Sequence, residues 1–340
     1  MQAHAYPPKE ALHVALAGKD LVLRQLHTSS HEDMVALLSL HQTVFGSCAD
    51  GEWFSWKYRA GQSKGYSLWH GSEMVAHCGG IPRNFLVGQE TQAWLQIGDV
   101  MVAPAWRGVL TRTSAFWRVS EATYRNFLGN EKPFRVGFGF PNLRHMQLAE
   151  KTELAWQAAN IQQLTWHCDS PWPSLGWGWQ VEVASTPSAS LIEAAWRNMV
   201  HAFSAQDIAL GERSWPHILW RYINRPDKNY RFAVLRRPWL RRAVGVLILS
   251  AQAPWQWLDW IGPPDLLPKA CTAARKLALQ AGAQELTAWC SPLVEEFLRS
   301  TPVSQRTTVA ALGVPRYSDL QGKSLQTFPW WFMGGDTDFL

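Results

Sequence analysis

The chain has 340 residues, of which 47% are hydrophobic and 17% are charged, and its formal net charge at pH 7 is +5. This composition is typical of a folded globular protein and argues against intrinsic disorder. The length predicts two domains, because single domains commonly run to about 100 to 200 residues. The mild positive charge suits an anionic ligand as well as nucleic acid and does not decide between them.

The five cysteines are scattered and lack the spacing of a metal site, which is typical of free thiols in a reducing compartment. The first twenty residues lack the apolar core of a signal peptide, and no apolar run reaches the roughly 20 residues of a membrane span. We therefore expect a cytoplasmic protein with no membrane span and no metal. The 21 tryptophans are expected mainly in cores, with ligand stacking as the alternative.

Residues 1–19 are predicted to be a flexible leader, after which apolar spacing marks alternating strands and helices. In chain order these are a strand at 21–25, a helix at 31–45, strands at 66–69, 74–85 and 91–102, a helix at 111–128, a strand at 135–140, a short helix from 142 to about 150, and closing strand structure at 156–168. This order predicts one α/β domain over residues 20–168.

Residues 169–190, rich in Pro, Ser, Gly and Trp, are predicted to be a linker. Beyond the linker the pattern starts again and predicts a second domain over residues 191–340. Its elements are a helix at 191–203, strands at 231–235, 243–250 and 255–261, a helix at 266–281, a strand at 285–290 and a short helix from 292. The last residues, 330–338, are expected to form either a strand with an acidic loop or a solvated tail.

An internal repeat supports this division. The triplet Trp-Lys-Tyr at 56–58 is followed by Lys64 and Tyr66, and Trp-Arg-Tyr at 220–222 is followed at the same spacing by Lys228 and Tyr230. Each copy precedes a predicted meander of three strands, which favours a duplicated fold. One large mixed α/β domain is the alternative.

The stretch 97–113, IGDVMVAPAWRGVLTRT, predicts a buried strand, a proline-bounded bend, a tight turn and a helix that begins at Thr111. A helix N-terminus presents unpaired N–H groups and a positive dipole end, which suit a phosphate. Gly108 would let a ligand approach the backbone closely, while Arg107 and Arg112 add positive charge. An ordinary strand-to-helix connection is the alternative.

This stretch resembles the acyl-CoA-binding motif of the GNAT superfamily of N-acyltransferases, in which an acidic strand residue and a proline precede Arg-Gly-x-Gly at a helix start. Asp99, Pro104 and the Arg107-Gly108 turn occupy those places, while Leu110 replaces the second glycine or two residues have been lost. The resemblance implies a mixed α/β (α+β) fold of two tandem GNAT-like domains, each with a central, mostly antiparallel twisted sheet flanked by helices. It also implies acetyl-CoA or another acyl-CoA as co-substrate.

The resemblance further implies the residues of the site. Those matching the donor-binding positions are Val100, Met101, Val102, Arg107, Gly108, Val109, Leu110, Thr111 and Arg112. Asp99 matches an acidic base or water-holding residue, and burial would raise its pKa to suit that role. A structural role for Asp99, as a turn cap or as a partner of Arg107, is the alternative.

The residues from Asn142 resemble the superfamily's second motif, Asn-x-x-Ala-x-x-Leu-Tyr-x-Lys-x-Gly-Phe, which implies that Asn142 belongs to the catalytic site. Leu148 and Lys151 also match, but Ala149 stands where the tyrosine that serves as general acid is expected. The proton donor for the leaving thiolate is therefore unassigned. His145 and His77 are candidates, although a lone histidine is more often structural or surface-exposed than catalytic.

The second half lacks an Arg-Gly turn, because Asp259-Trp260-Ile261-Gly262-Pro263-Pro264 stands at the corresponding place and prolines remove N–H donors. Only the first half is therefore predicted to hold CoA. The leading hypothesis is an acyl-CoA-dependent N-acyltransferase that acetylates a primary amine of a small molecule or protein. The alternative is a non-catalytic binding or scaffold protein on a degenerate acyltransferase fold. Nucleic-acid binding rests only on mild basicity and exposed aromatic residues, and the acceptor and oligomeric state stay open.

Overall fold

The computed structural model describes residues 11–46, 50–59, 62–108, 111–168, 174–237, 243–252, 254–337 and 340. The chain divides into two compact units, each containing a segment that is remote in sequence from the rest of the unit. The first unit comprises residues 1–83, 93–157 and 313–323, and the second comprises residues 84–92, 158–312 and 324–340.

The first unit is built around a sheet with the strand order β1-β2-β3-β4-β5-β6. Its strands are β1 (Leu12–Leu16), β2 (Lys19–Gln25), β3 (Lys64–His70), β4 (Glu73–Val87), β5 (Glu90–Val102) and β6 (Gly137–Phe138). Its helices are α1 (His31–Phe45), α2 (Gly51–Tyr58), α3 (Ala115–Phe127) and α4 (Leu143–Lys151). Neighbouring strands from β1 to β4 pair antiparallel, whereas β5 and β6 are parallel.

Helix α3 covers one face of this sheet. Val119 and Phe127 are buried in a core with the side chains of β3 and β4. Between them, the buried Thr123 hydroxyl donates to the Cys78 carbonyl and accepts from the Tyr66 amide, both at 3.1 Å. The helix is therefore fixed to two strands by hydrogen bonds as well as by apolar packing.

The second unit contains a sheet with the order β14-β7-β13-β12-β11-β10-β8. The strands of this sheet are β7 (Ala155–His167), β8 (Gln180–Ala184), β10 (Tyr230–Arg236), β11 (Ala243–Ser250), β12 (Trp255–Ile261), β13 (Glu285–Cys290) and β14 (Gln305–Pro315). Strands β9 (Ala209–Gly211) and β15 (Trp330–Trp331) pair with each other outside it. The helices of the unit are α5 (Ala189–Ala202), α6 (Trp215–Ile218), α7 (Leu267–Gln280) and α8 (Pro292–Leu298). The pair β12 and β13 is parallel, and its neighbours are antiparallel. A π-helical turn over Leu219–Ile223 follows α6.

The predicted fold class, a mixed α/β protein with two mostly antiparallel sheets flanked by helices, is confirmed. Two segments that were predicted to be irregular contain strands. Within residues 1–19, β1 is extended because it pairs with β2, and within residues 169–190, β8 is extended because it pairs with β10. The predicted domains at 20–168 and 191–340 stay a prediction, and the compact units depart from them at 84–92 and 313–323.

Two further predicted bounds are wrong in ways that matter for the site. Helix α3 begins at Ala115 rather than Thr111, because the Ser114 side chain accepts the Trp117 N–H and ends the loop there. The strand expected over 135–140 is reduced to the two residues of β6. Both changes lengthen the irregular chain around the end of β5.

Candidate functional site

The candidate site is a gap at the end of the parallel pair in the first unit. The strands pair at two positions only, Leu95 with Gly137 and Gln96 with Phe138. Strand β5 then continues through residues 97–102 without β6 beside it, so the backbone groups on that side of β5 are not used by β6. The gap between residues 97–102 and the chain that follows β6 is termed the first wedge. Residues 97 to 100 are partly accessible there.

Asp99 interrupts β5 within the wedge. Its φ of 48° lies in the left-handed region, which a non-glycine residue in a strand rarely adopts. Its carboxylate accepts hydrogen bonds from the Lys57 ammonium and from the Tyr58 hydroxyl, both at 2.7 Å and both from the last turn of α2. The Lys57 and Asp99 side chains are only 4% and 7% exposed, so this is a buried ion pair.

The ionisation of Asp99 follows from this pairing. Burial alone would raise the pKa of the carboxyl, but the charge and hydrogen bond of Lys57 and the hydroxyl of Tyr58 outweigh burial and hold the pKa below its usual range. The expected rise in pKa is therefore wrong. A partnership with Arg107 is also wrong, because the Arg107 Nε donates to the Val102 carbonyl at 2.9 Å.

His77 lies in the same buried network. Its Nδ1 is 2.8 Å from the Ser67 hydroxyl, and its Nε2 is 3.4 Å from the Tyr58 hydroxyl. Burial lowers the pKa of His77 to about 4, so the ring is neutral at pH 7. His77 is therefore a neutral hydrogen-bonding partner of Tyr58 and not the proton donor of the first wedge.

The loop after β5 holds the predicted phosphate-binding residues. At Gly108 a Cβ atom would meet nothing within 4 Å and the φ is not left-handed, so the glycine leaves open space rather than allowing a turn. Arg112 forms an exposed ion pair with Glu153, and the Thr111 hydroxyl bonds to Thr113 within the loop. Val109 and Leu110 lie outside the described residues.

Positively charged side chains lie near the start of α4. The Asn142 side chain caps α4 by accepting the His145 N–H at 2.9 Å, which is the observed role of the asparagine predicted at the catalytic site. The pKa of His145 is lowered by partial burial and by the charges of Arg144 and Arg107. Two arginines and the N-terminus of α4 thus act on one region of the first unit.

The second unit repeats the wedge. Its parallel strands also pair at two positions only, Trp255 with Leu286 and Gln256 with Thr287, after which β12 continues. Asp259 lies three residues after Gln256, just as Asp99 lies three residues after Gln96. The gap after these two pairs is termed the second wedge.

Asp259 has the same kind of partners as Asp99. Its carboxylate accepts from the Tyr222 hydroxyl at 3.0 Å and from the Arg213 Nε at 2.8 Å. Tyr222 is the repeat counterpart of Tyr58, whereas Arg213 comes from outside the repeated triplet. Arg213 also binds Asp336 at 2.7 Å, so one buried cation serves two carboxylates.

The C-terminal segment fills the second wedge. Met333 bridges Cys290 at the end of β13, and a Cβ atom on Gly335 would lie 1.8 Å from the Tyr222 hydroxyl. The strand expected in this segment is present at Trp330–Trp331, whereas the alternative of a solvated tail is wrong for Asp336, which is 2% exposed. Asp338 lies outside the described residues. The prediction that only the first half holds CoA thus has a physical basis beyond the missing Arg-Gly turn.

Sequence reasoning missed the roles of Lys57 and Tyr58. The repeated triplet at 56–58 was a usable signal, but it was interpreted only as a sign of duplication. Among the described residues, no group of three or more His, Cys, Asp or Glu side chains could hold a metal ion. Within the same residues, no helix combines the length and apolar character needed to cross a membrane.

Two sheets flanked by helices, each with a parallel pair that separates after two positions, give this chain the fold of the GCN5-related N-acetyltransferases. No protein-family model and no curated protein sequence matches it. Solved structures do. A conserved Enterococcus faecalis V583 protein of unknown function, a probable N-acyltransferase, is similar at a TM-score of 0.64 and 12% identity, over 86% of this chain and 72% of that one.

Two other solved structures extend this similarity. A GCN5-related N-acetyltransferase from Kribbella flavida is similar at a TM-score of 0.58 and 15% identity, over 86% of this chain and 70% of that one. Saccharomyces cerevisiae N-myristoyltransferase with bound myristoyl-CoA is similar at a TM-score of 0.57 and 10% identity, over 90% of this chain and 80% of that one. At these identities, what is shared is the fold.

Proposed function

We propose that this protein is an acyl-CoA-dependent N-acyltransferase whose acyl donor binds in the first wedge. The observation that carries the proposal is the separation of β5 from β6 after two paired positions, which leaves backbone groups of residues 97–102 for the thioester and the amides of the donor. The second wedge is filled by the C-terminal segment, so we expect one donor per chain. Acetyl transfer to a primary amine of a small molecule or protein is the simplest case.

The anionic end of the donor is assigned to the loop after β5. Arg107 and Arg112 supply charge, Gly108 leaves room beside the backbone, and the N-terminus of α3 at Ala115 supplies N–H groups. Thr111 belongs to the same proposed surface, while Val109 and Leu110 stay predicted donor-binding residues outside the described part of the chain. Guanidinium groups suit phosphate oxygens because their N–H donors match two oxygens at once.

The proposed reaction needs little covalent participation by the protein. A neutral amine nitrogen attacks the thioester carbonyl carbon, the C–S bond breaks, the nitrogen loses a proton and the thiolate gains one, giving an amide and CoA. Among Val100, Met101 and Val102, the N–H groups of Val100 and Val102 are proposed to stabilise the developing oxyanion, because strand N–H groups alternate sides and the Ala103 N–H already donates to Val75 on β4. Asp99 and Asn142 are proposed to shape the site rather than to exchange protons. The Asp99 side chain is bound by Lys57 within β5, and the Asn142 side chain caps the start of α4.

A non-catalytic binding protein is the second candidate. It is favoured by the state of the titratable groups next to the first wedge, because Asp99 is already paired with Lys57 and His77 is neutral and buried. In that case acyl-CoA would bind without turnover. We also propose a cytoplasmic location, supported by the buried free thiols Cys78, Cys168, Cys271 and Cys290.

Calorimetry with CoA, acetyl-CoA and longer acyl-CoAs, followed by turnover against a panel of amines, tests the proposal. We expect binding of one acyl-CoA per chain and acylation of at least one amine. Gly108→Glu should weaken binding by at least about tenfold, because a carboxylate would meet phosphate. Gly51→Glu is the matched control, since Gly51 also has open space and no left-handed φ. Absence of binding to all donors would refute the proposal, whereas binding without turnover would favour the second candidate.

A further inference from the structure

The buried ion pair of Lys57 and Asp99 lies at the part of β5 that is no longer paired with β6. Burying two charges is costly, and an apolar pair of similar volume is often as stable, so stability alone does not explain the pair. What the pair does have is a fixed geometry: two donors from one helical turn hold both carboxylate oxygens at 2.7 Å. Such a clamp restrains the backbone of Asp99 as well as its side chain.

That backbone is in a conformation that needs a restraint. A left-handed φ costs an ordinary residue roughly 1 kcal/mol or more and persists only where its surroundings enforce it. The bent residue also sets the direction of the chain that follows it, Val100 to Val102. The clamp on Asp99 therefore acts on the backbone groups assigned to the thioester.

The second unit has the same combination of a strand irregularity and a buried aspartate held by two side chains. Asp259 has the same offset from the last parallel pair and also accepts from a tyrosine and a cation. The pairing between β11 and β12 shifts register between Ile248 and Leu249, opposite this residue. A carboxylate held by a tyrosine thus accompanies an irregular strand in both units.

We propose that Lys57 and Tyr58 are positioning residues, which hold the Asp99 carboxylate and so keep the backbone N–H groups of Val100 and Val102 aligned with the acyl carbonyl. This inference rests on the proposed function. The Asp99 carboxylate contacts Lys57 and Tyr58 from α2, and its charge also acts on His77 and Cys78 from β4 and on His41 from α1.

The two units offer a matched pair of variants. Tyr58→Phe and Tyr222→Phe each remove one buried hydroxyl that donates to a buried aspartate, and each tyrosine is 2% exposed. We expect both to lower the melting temperature, but only Tyr58→Phe to lower kcat, by about tenfold or more, because misaligned oxyanion donors lose rate rather than donor affinity. The Kd for acetyl-CoA should change less than about threefold, since Arg107 and Arg112 remain.

Hydrogen–deuterium exchange of the peptide covering residues 97–103 gives a readout that does not depend on turnover. Lys57→Met and Tyr58→Phe should speed amide exchange in this peptide about tenfold, while Tyr222→Phe leaves it unchanged. Equal exchange in the three variants, or an unchanged kcat in Tyr58→Phe, would overturn the positioning role. Failure of the wild-type protein to bind any acyl-CoA would instead overturn the proposed function, and the exchange result would still decide whether the clamp orders β5.

Discussion

In the first unit, Asp99 is held by Lys57 and Tyr58, whereas in the second unit Asp259 is held by Arg213 and Tyr222. The tyrosines correspond through the internal repeat, but the cations do not. Because Arg213 takes the place of Lys57 as the partner of the aspartate, the repeated cation of the second unit binds elsewhere.

That arginine is Arg221, the repeat counterpart of Lys57. It donates to the main-chain oxygens of Gly335, Thr337 and Leu340, at 3.0, 2.8 and 2.8 Å respectively. The repeated cation therefore anchors the segment that fills the second wedge. The two units therefore share a strand arrangement, but only in the second unit does the C-terminal segment fill the wedge. In that unit Arg213, and not the repeated cation, pairs with the aspartate.

The largest effect is expected from Arg213→Met in the second unit. This change leaves Asp259 and Asp336 buried without their shared cation, which should lower the free energy of unfolding by about 3 to 5 kcal/mol. Chemical denaturation measures the loss. The exposed Arg299→Met is the control and should change stability by less than about 0.5 kcal/mol. A loss below about 1 kcal/mol in Arg213→Met would show that the cluster is not a buried ion network.

Alanine substitutions at Gly335, in the segment that fills the second wedge, and at Gly108, in the loop after β5, should differ in effect. At Gly335 a Cβ atom would collide with the Tyr222 hydroxyl, so Gly335→Ala should cost about 1 to 3 kcal/mol. At Gly108 the space is open, so Gly108→Ala should change stability by less than about 0.5 kcal/mol. Thermal unfolding of the two variants compares them. Equal losses would contradict the filling of the second wedge by the C-terminal segment.

The two aspartates should also give opposite pH dependence. The pKa of Asp99 is lowered, so its contribution to stability is present above its unfolded value of about 4 and is lost as the pH falls through the folded pKa. The pKa of Asp259 is raised by burial and by Asp336 against the opposing charge of Arg213, so its contribution is present below about pH 4 and is lost as the pH rises.

Urea unfolding of Asp99→Asn and Asp259→Asn between about pH 3 and pH 7 tests this contrast. Relative to wild type, the cost of Asp99→Asn in unfolding free energy should grow with pH, and the cost of Asp259→Asn should shrink. The physical reason is that one cation serves one carboxylate in the first unit and two in the second. Slopes of the same sign would contradict this interpretation.

The smallest effect on stability is expected at Arg112. Its ion pair with Glu153 is exposed, so Arg112→Ala should change the free energy of unfolding by less than about 0.5 kcal/mol. In the proposed function the same variant should weaken acetyl-CoA binding by a few fold, because a phosphate loses one charge partner. Calorimetry gives both the affinity and its salt dependence. An unchanged Kd at low salt would remove Arg112 from the proposed donor site.

Local sequence patterns predicted regular elements well where periodicity was strong. The bounds of β11, β12 and β13 and of helix α1 are those predicted. Other elements have no comparable local signal. Strands β9 and β15 are three and two residues long and exist because they pair with each other, and β9 also pairs with the end of β4. A strand that short is specified by its partner rather than by its own sequence.

The sequence by itself determined the α/β class, the duplicated order of elements and the place of Asp99 beside a glycine-bearing turn, because periodicity and turn residues are local properties. Only the tertiary structure decided which cation meets each aspartate and which wedge is filled. Lys57 lies 42 positions from Asp99, and Arg213 lies 123 positions from Asp336. Contacts over such separations depend on how the whole chain closes, and no local pattern encodes them.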